Sequence, residues 1–270
     1  EPYRRQRQMC IRDRESAARA LIGEDAGVLA EPNDILGVEY CKALLQSDST
    51  ITPLAMERRA VGHNEGAAEG FASASYIRAL LAGGEDASAF LTAESAAIYA
   101  RECAAGRAPV TMKGAERAML SRLRMLEEAD FARYDSGGEG LYRRFYAAVR
   151  TAASVDELLG TVKTKRYAYA RLRRMLLAAY LDIAAAELPQ EIPYLRVLAC
   201  NERGRMLLRA IKNEGSAPVL TKSADVRSLS EEAQRLFALS ARACDQYVLA
   251  YPELRAAKGG GAWTQGPVIV

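Results

Sequence analysis

Two serines one residue apart, Ser73 and Ser75, with Arg78 following, form the spacing in this chain best suited to hold an anion. A serine cap ahead of a helix offers hydroxyls and unpaired backbone N–H groups, and an arginine one turn in adds a guanidinium. A triphosphate or pyrophosphate requires those groups. Asn33, Arg58 and Arg59 join the set. Arg58 and Arg59 lie just past the apolar run at 51–56, and open α/β sheets bind ligands beyond the carboxyl ends of their strands. A capped helix with a solvated arginine satisfies the same local pattern.

A second group is basic. Between Tyr142 and Arg174 stand nine Lys/Arg (Arg143, Arg144, Arg150, Lys163, Lys165, Arg166, Arg171, Arg173 and Arg174) against Asp156 and Glu157. The segment therefore carries +7 in a chain whose net charge is +3. Tyr142, Tyr146, Tyr167 and Tyr169 are interleaved. Cations for phosphates beside aromatic faces for unpaired bases are the requirements of RNA binding. A solvated helix face with tyrosines turned inward is the competing reading.

Other chemistries are narrowed by what is scarce. His63 is the single histidine, in a Gly/Asn/Glu loop that suits a surface residue, so clustered histidine ligands do not occur and any histidine-dependent triad would have to use it. Cys10, Cys41, Cys103, Cys200 and Cys244 are odd in number, widely spaced and without a CxxC pair. That argues against a disulfide framework or structural zinc and for reduced thiols in a cytosolic protein. Glu127, Glu128 and Asp130 read as a solvated helix face, and Trp263 has no role in this reading. No metal site is expected. No run approaches the roughly 18 apolar residues that cross a membrane, and none is expected to.

The elements that position these residues follow from periodicity. Residues 17–30 read as the end of a helix. Pro32, Asn33 and Asp34 form a turn or N-cap before a helix carrying Ile35, Leu36, Val38, Tyr40, Leu44 and Leu45. Residues 51–56 suit a short buried strand, 62–70 a polar flexible loop, and 73–84 a helix closed by Gly83 and Gly84. Helix, strand, loop and helix make the tail of a doubly wound unit. From 85 to 190 nearly everything is helical by pattern. PYLRVLAC, ERGRMLLRAIKNEG and APVLTK then give a β-α-β unit with parallel strands. A last helix opens with a capping box at Ser230 and Glu232, and the Gly-rich tail from Lys258 reads as loose. The arginine-rich opening at 3–14 shows neither helical nor strand period. It resembles translated sequencing-adapter read-through, and residues 1–14 are expected not to be native.

Several stretches together resemble the bacterial tRNA(Met) cytidine acetate ligases: EPNDILGVEYCKAL, ITPLAMERRAVGHNE leading to ASASYIRALL, TVKTKRYAYARLRRMLL, and PYLRVLACNERGRMLLRAIKNEGSAPVLTK. The likeness runs from about residue 17 to 255. It implies a mainly α chain with α/β parts: a remnant of a Rossmann-like nucleotidyltransferase domain at 15–84, a helical tRNA-binding domain at 85–190, a small βαβ unit at 191–255 and a flexible tail at 256–270. It implies an enzyme that uses ATP, with Mg2+ as counter-ion, to activate acetate as acetyl-adenylate and acetylate N4 of the wobble cytidine of elongator tRNA(Met). It matches Asn33 and Arg58, with Arg59 beside it, to ATP contacts, and Ser73, Ser75 and Arg78 to the triphosphate side. Lys163, Lys165, Arg166, Arg171 and Arg174 fall in the region expected to hold tRNA. The family's HxGH phosphate loop has no counterpart here, so the chain by itself is expected to be inactive. Without the resemblance, a non-catalytic helical RNA-binding protein or a nucleotidyltransferase-fold enzyme for another small acid also fits.

Overall fold

The computed structural model describes residues 16–29, 32–56, 66–68, 70–135 and 140–270. Two compact units emerge. One holds the described residues up to Ala100 together with Thr164–Tyr169; the other holds Arg101–Lys163 and Ala170–Val270. The division differs from the sequence reading, which separated 85–190 from 191–255. The βαβ elements and most of the helical region share one unit.

In the first unit, residues 16–22 are helical and run into a 3-10 stretch, Gly23–Leu29. Helix α1 spans Pro32–Gln46. Proline is well placed in a first helical turn, where its missing N–H has no acceptor to lose. Asn33 therefore lies inside the helix rather than at its cap. Leu36, Tyr40 and Leu45 are 50%, 63% and 82% exposed while Ile35, Val38 and Leu44 are half-buried, so the apolar positions that periodicity turns inward are only partly covered by the described residues. The expected strand at 51–56 does not form. Its residues have no regular structure, and Ile51, Leu54 and Met56 stand exposed. A strand needs a ladder partner, and no described residue provides one. The loop reading at 62–70 changes at its end: β1 (Ala67–Ala68) pairs antiparallel with β2 (Phe71–Ala72), which leads directly into α2 (Ala74–Gly83). Gly84 closes α2 with φ +76° and donates back to the last turn, as the sequence implied. Tyr76 and Phe90 meet edge to face, 5.9 Å apart.

Helix α3 (Ala93–Ala104) leads toward the second unit. There α4 (Glu116–Arg124), α5 (Glu128–Ala132), α6 (Leu141–Thr151), α7 (Val155–Val162) and α8 (Tyr169–Leu181) enclose a core. Leu123, Phe131, Leu141, Phe145, Val149, Leu158, Val162, Leu172 and Leu176 are fully buried. Phe131 stacks on Phe145 at 6.3 Å. The carboxylates read as a solvated face partly build the start of α5: the Glu127 N–H donates to Asp130 Oδ2 at 2.9 Å.

The predicted β-α-β unit is present. β3 (Leu195–Arg196) and β5 (Val219–Leu220) pair in parallel around α9 (Glu202–Glu214), with Leu195 opposite Val219. Helix α10 (Glu231–Tyr247) begins at Ser230, whose hydroxyl accepts from the Ala233 N–H; the third position is alanine, so the reciprocal half of a capping box is lacking. The tail is ordered. β4 (Ala199–Cys200) pairs in parallel with β6 (Val268–Ile269), and Gly261–Thr264 makes a helical turn. Trp263 packs edge to face on Phe237 at 4.7 Å, and Ala262 joins the Leu220, Val226, Phe237 and Ala241 core. Among the described residues no helix is long and apolar enough to cross a membrane.

Candidate nucleotide and nucleic-acid interface

Of the anion set, Ser73, Ser75, Arg78 and Asn33 lie among the described residues; Arg58, Arg59 and His63 lie outside them. Ser73 is 1% exposed and caps α2, its hydroxyl accepting from the Tyr76 N–H at 3.2 Å while its own N–H donates to the Gly66 carbonyl. That hydroxyl positions the helix start. The first two helical N–H groups, at Ala74 and Ser75, have no acceptor within a helix. The Ser75 side chain beside them is exposed. Arg78 is exposed one turn on, and among the described residues its guanidinium has no ion-pair partner. Asn33 is exposed in the first turn of α1. The arrangement can receive an anion at the start of α2 with backbone donors, one hydroxyl and one guanidinium.

The basic segment divides. Three of its arginines bond backbone carbonyls or a carboxylate within the protein. Arg144 donates to the Val162 and Thr161 carbonyls at 3.4 and 3.3 Å, closing the end of α7. Arg150 donates to the Leu126 carbonyl at 2.8 Å and lies over the Tyr146 ring at 3.7 Å. Arg171 pairs at 3.1 Å with Asp135, whose side chain is 2% exposed and whose other oxygen accepts the Tyr142 N–H. Arg143 reaches Glu128 at 3.4 Å. Lys163 follows α7 half-buried, and burial holds its pKa below the ordinary lysine value. Lys165 and Arg166 are exposed, though each keeps an interaction within the protein. Tyr167 is buried, and Tyr142, Tyr146 and Tyr169 are half-buried, so the tyrosines lie partly in the core. Arg174 is exposed and, among the described residues, unpaired.

Arg171 and Arg174 also line a groove of about 650 Å³ whose walls include Leu141, Met175, Leu181 and Leu188. Charge counting could not find its frame. Tyr134 donates to Asp182 Oδ1 at 2.6 Å, and Arg133 bridges Asp182 and Glu187 at 3.5 and 2.7 Å. Burial pushes the Tyr134 hydroxyl up to about 12, reinforced by its bond to Asp182. The same bond, with Arg133 nearby, holds Asp182 below the usual aspartate value. Among the described residues no cluster of His, Cys, Asp and Glu could hold a metal ion.

The profile of the HIGH nucleotidyl transferases matches residues 2–260. The chain belongs to that family. Several relatives in sequence share a functional name. A tRNA(Met) cytidine acetate ligase of Fervidobacterium nodosum is 33% identical over 232 residues, covering 83% of this chain and 54% of the relative. One from Kosmotoga olearia is 37% identical over 196 residues, 70% and 46% of the respective chains. The chain thus spans about half the length of these curated relatives. In structure it resembles Thermotoga maritima TmcAL in its apo form, with a TM-score of 0.86 at 24% identity, over 94% of this chain and 64% of that one. A second crystal structure of that protein, bound with alpha-thio ATP, superposes with a TM-score of 0.84. At such identity the likeness establishes the fold, and the expected nucleotidyltransferase-like architecture is the one found.

Proposed function

We propose that this HIGH nucleotidyl transferase is part of an ATP-dependent ligase that activates acetate as acetyl-adenylate and acetylates N4 of the wobble cytidine of elongator tRNA(Met) in the cytoplasm. The observation that carries the reading is the shared name of the relatives, tRNA(Met) cytidine acetate ligase, across 70–83% of this chain. The nucleotide-bound state of the Thermotoga maritima neighbour supports ATP as the co-substrate. In the reaction an acetate oxygen attacks the α-phosphate and pyrophosphate departs; the cytidine amine then displaces AMP from the acetyl carbon. Both steps need stabilisation of charge at phosphate or carbonyl oxygens by preorganised donors.

The residues present suit part of that task. The N-terminal N–H groups of α2, Ser75 and Arg78 would receive phosphate oxygens, with Mg2+ as the nucleotide's counter-ion and Asn33, Arg58 and Arg59 as further ATP contacts. Ser73 would set the helix start that aims them. On the RNA side, Arg174 presents a charge free of described partners, with Lys165 and Arg166 exposed nearby in sequence; Arg171 and Lys163 would act through the local fold and field.

The test places this chain in a full-length context, replacing the matched region of the Fervidobacterium nodosum relative. ATP- and acetate-dependent formation of N4-acetylcytidine on tRNA(Met) is the expected result. Arg78→Ala in that enzyme should raise the KM for ATP roughly tenfold or more, the loss of a charge-assisted contact. An enzyme that adenylates a different acid would show the substrate assignment to be mistaken.

A further inference from the structure

We infer that an exposed stripe of α9 is an RNA-contacting surface that holds a run of backbone phosphates through Arg205, Arg209 and Lys212, an inference that rests on the RNA substrate proposed above. The helix has a defined start and a half-buried inner seam. Asn201 caps it, Oδ1 accepting the Gly204 N–H at 2.9 Å. It packs on β4 and β5, and Gly204, Leu208 and Ile211 are its half-buried positions. A Cβ at Gly204 would stand 3.2 Å from Cys200 Cβ, so the helix start lies close against β4.

The exposed stripe one position round from that seam is charged and unmatched. Arg205, Arg209 and Lys212 follow the i, i+4, i+7 spacing of one helical stripe, about 10 Å long at 1.5 Å per residue. All three are exposed, as is Arg203 before them, and among the described residues none of the four side chains has a hydrogen-bond or ion-pair partner. Glu202 and Glu214 are the acids of the helix and stand at its two ends. The contrast with the basic segment at 142–174 decides the matter. There Arg144, Arg150 and Arg171 hold helix ends or Asp135, Arg143 pairs with Glu128, and Lys163, Lys165, Arg166 and Arg173 each keep an interaction within the protein. On α9 the cations do nothing for the fold, and like charges one turn apart cost it a few tenths of a kcal/mol. A polyanion with charges repeating at nucleotide spacing relieves that repulsion and releases its counterions on binding. An acidic protein lacks that repeat.

Anisotropy of a labelled tRNA(Met) transcript titrated with the 270-residue chain, between about 50 and 200 mM salt, tests the surface. The R205E/R209E/K212E variant should bind at least about tenfold more weakly, with the slope of log affinity against log salt shallower by about two to three. R205Q/R209Q/K212Q should move both quantities in the same direction by less, and serves if the reversal impairs folding. K113E/R117E/K258E makes an equal charge change on other exposed sites of the unit and should stay within about threefold of the parent. Tight RNA binding by the parent with unchanged affinity and slope in both α9 variants overturns the assignment to α9 and leaves the tRNA reading standing. Equal losses from α9 and the control variant also overturn it, since net charge alone would then suffice. A parent that binds no RNA at any of these salts defeats the tRNA reading itself, and this surface with it.

Discussion

Arg171 and Arg174 lie three residues apart on one helix, carry the same charge and differ in what a substitution should do. Arg171 faces the buried Asp135 carboxylate. Arg171→Ala would remove the cation from that pair, at a cost of about 3 kcal/mol. Arg174→Ala should change stability by no more than about 0.5 kcal/mol. Urea denaturation of the two variants checks the contrast; equal midpoints would mean that the Asp135 pair is not structural. The Tyr134–Asp182 bond makes a pH prediction at the same scale. Tyr134 binds its proton more tightly in the fold than in the unfolded chain, where its pKa is near 10. Its contribution is therefore complete below pH about 10 and is lost as pH rises toward about 12. Asp182 has the opposite sign: its lowered pKa gives stability that is present above the usual aspartate value and lost as pH falls below it. Tyr134→Phe should flatten the alkaline limb of a melting-temperature profile and weaken the acid one. A profile identical to the parent's on both limbs would remove the bond from the account.

Elements were legible in the sequence where their signals are local. The start of α2 shows this: a serine just ahead of the helical run fixes the cap, and Ser73→Ala should cost about 1 kcal/mol by leaving the Tyr76 N–H without its acceptor. The helices of 85–190 and the β3-α9-β5 crossover were equally readable, because a period of 3.6 and flanking turn residues repeat within a dozen positions. Tail order was not. The partner of β6 lies near residue 200, and the Gly-rich stretch before it gives the local pattern of a loose end. The structural part of Arg144 and Arg150 was hidden for a related reason: Arg150 finds its carbonyl 24 positions away and Arg144 its own 17 and 18 away. A charge count sees none of those bonds. Gly114 is another long-range constraint without a local signal. A Cβ there would meet the Ala250 carbonyl oxygen at 2.5 Å, so Gly114→Ala should destabilise by about 1–3 kcal/mol despite its exposed position. A thermal melt matching the parent would show that the backbone gives way at little cost.

At the scale of the molecule, binding and chemistry should be separable in this chain. A HIGH-type loop needs two histidines, and these 270 residues contain one, His63. The proposed donors at the start of α2 would reach an anion from one side, with backbone N–H groups, Ser75 and Arg78. Attack at an α-phosphate builds charge on oxygens that a second set of donors must face, and each missing donor of that kind costs roughly a hundredfold or more in rate. The 270-residue chain incubated with ATP, acetate and tRNA(Met) should thus release no pyrophosphate above background and form no N4-acetylcytidine. The same preparation should bind the RNA, because the unpaired cations of α9 and Arg174 owe nothing to the nucleotide site. Pyrophosphate release and nucleoside mass spectrometry measure the first property and anisotropy the second. Acetate-dependent pyrophosphate release that disappears in Arg78→Ala would show that one face of donors is enough, and would place the whole phosphate clamp within the residues already present.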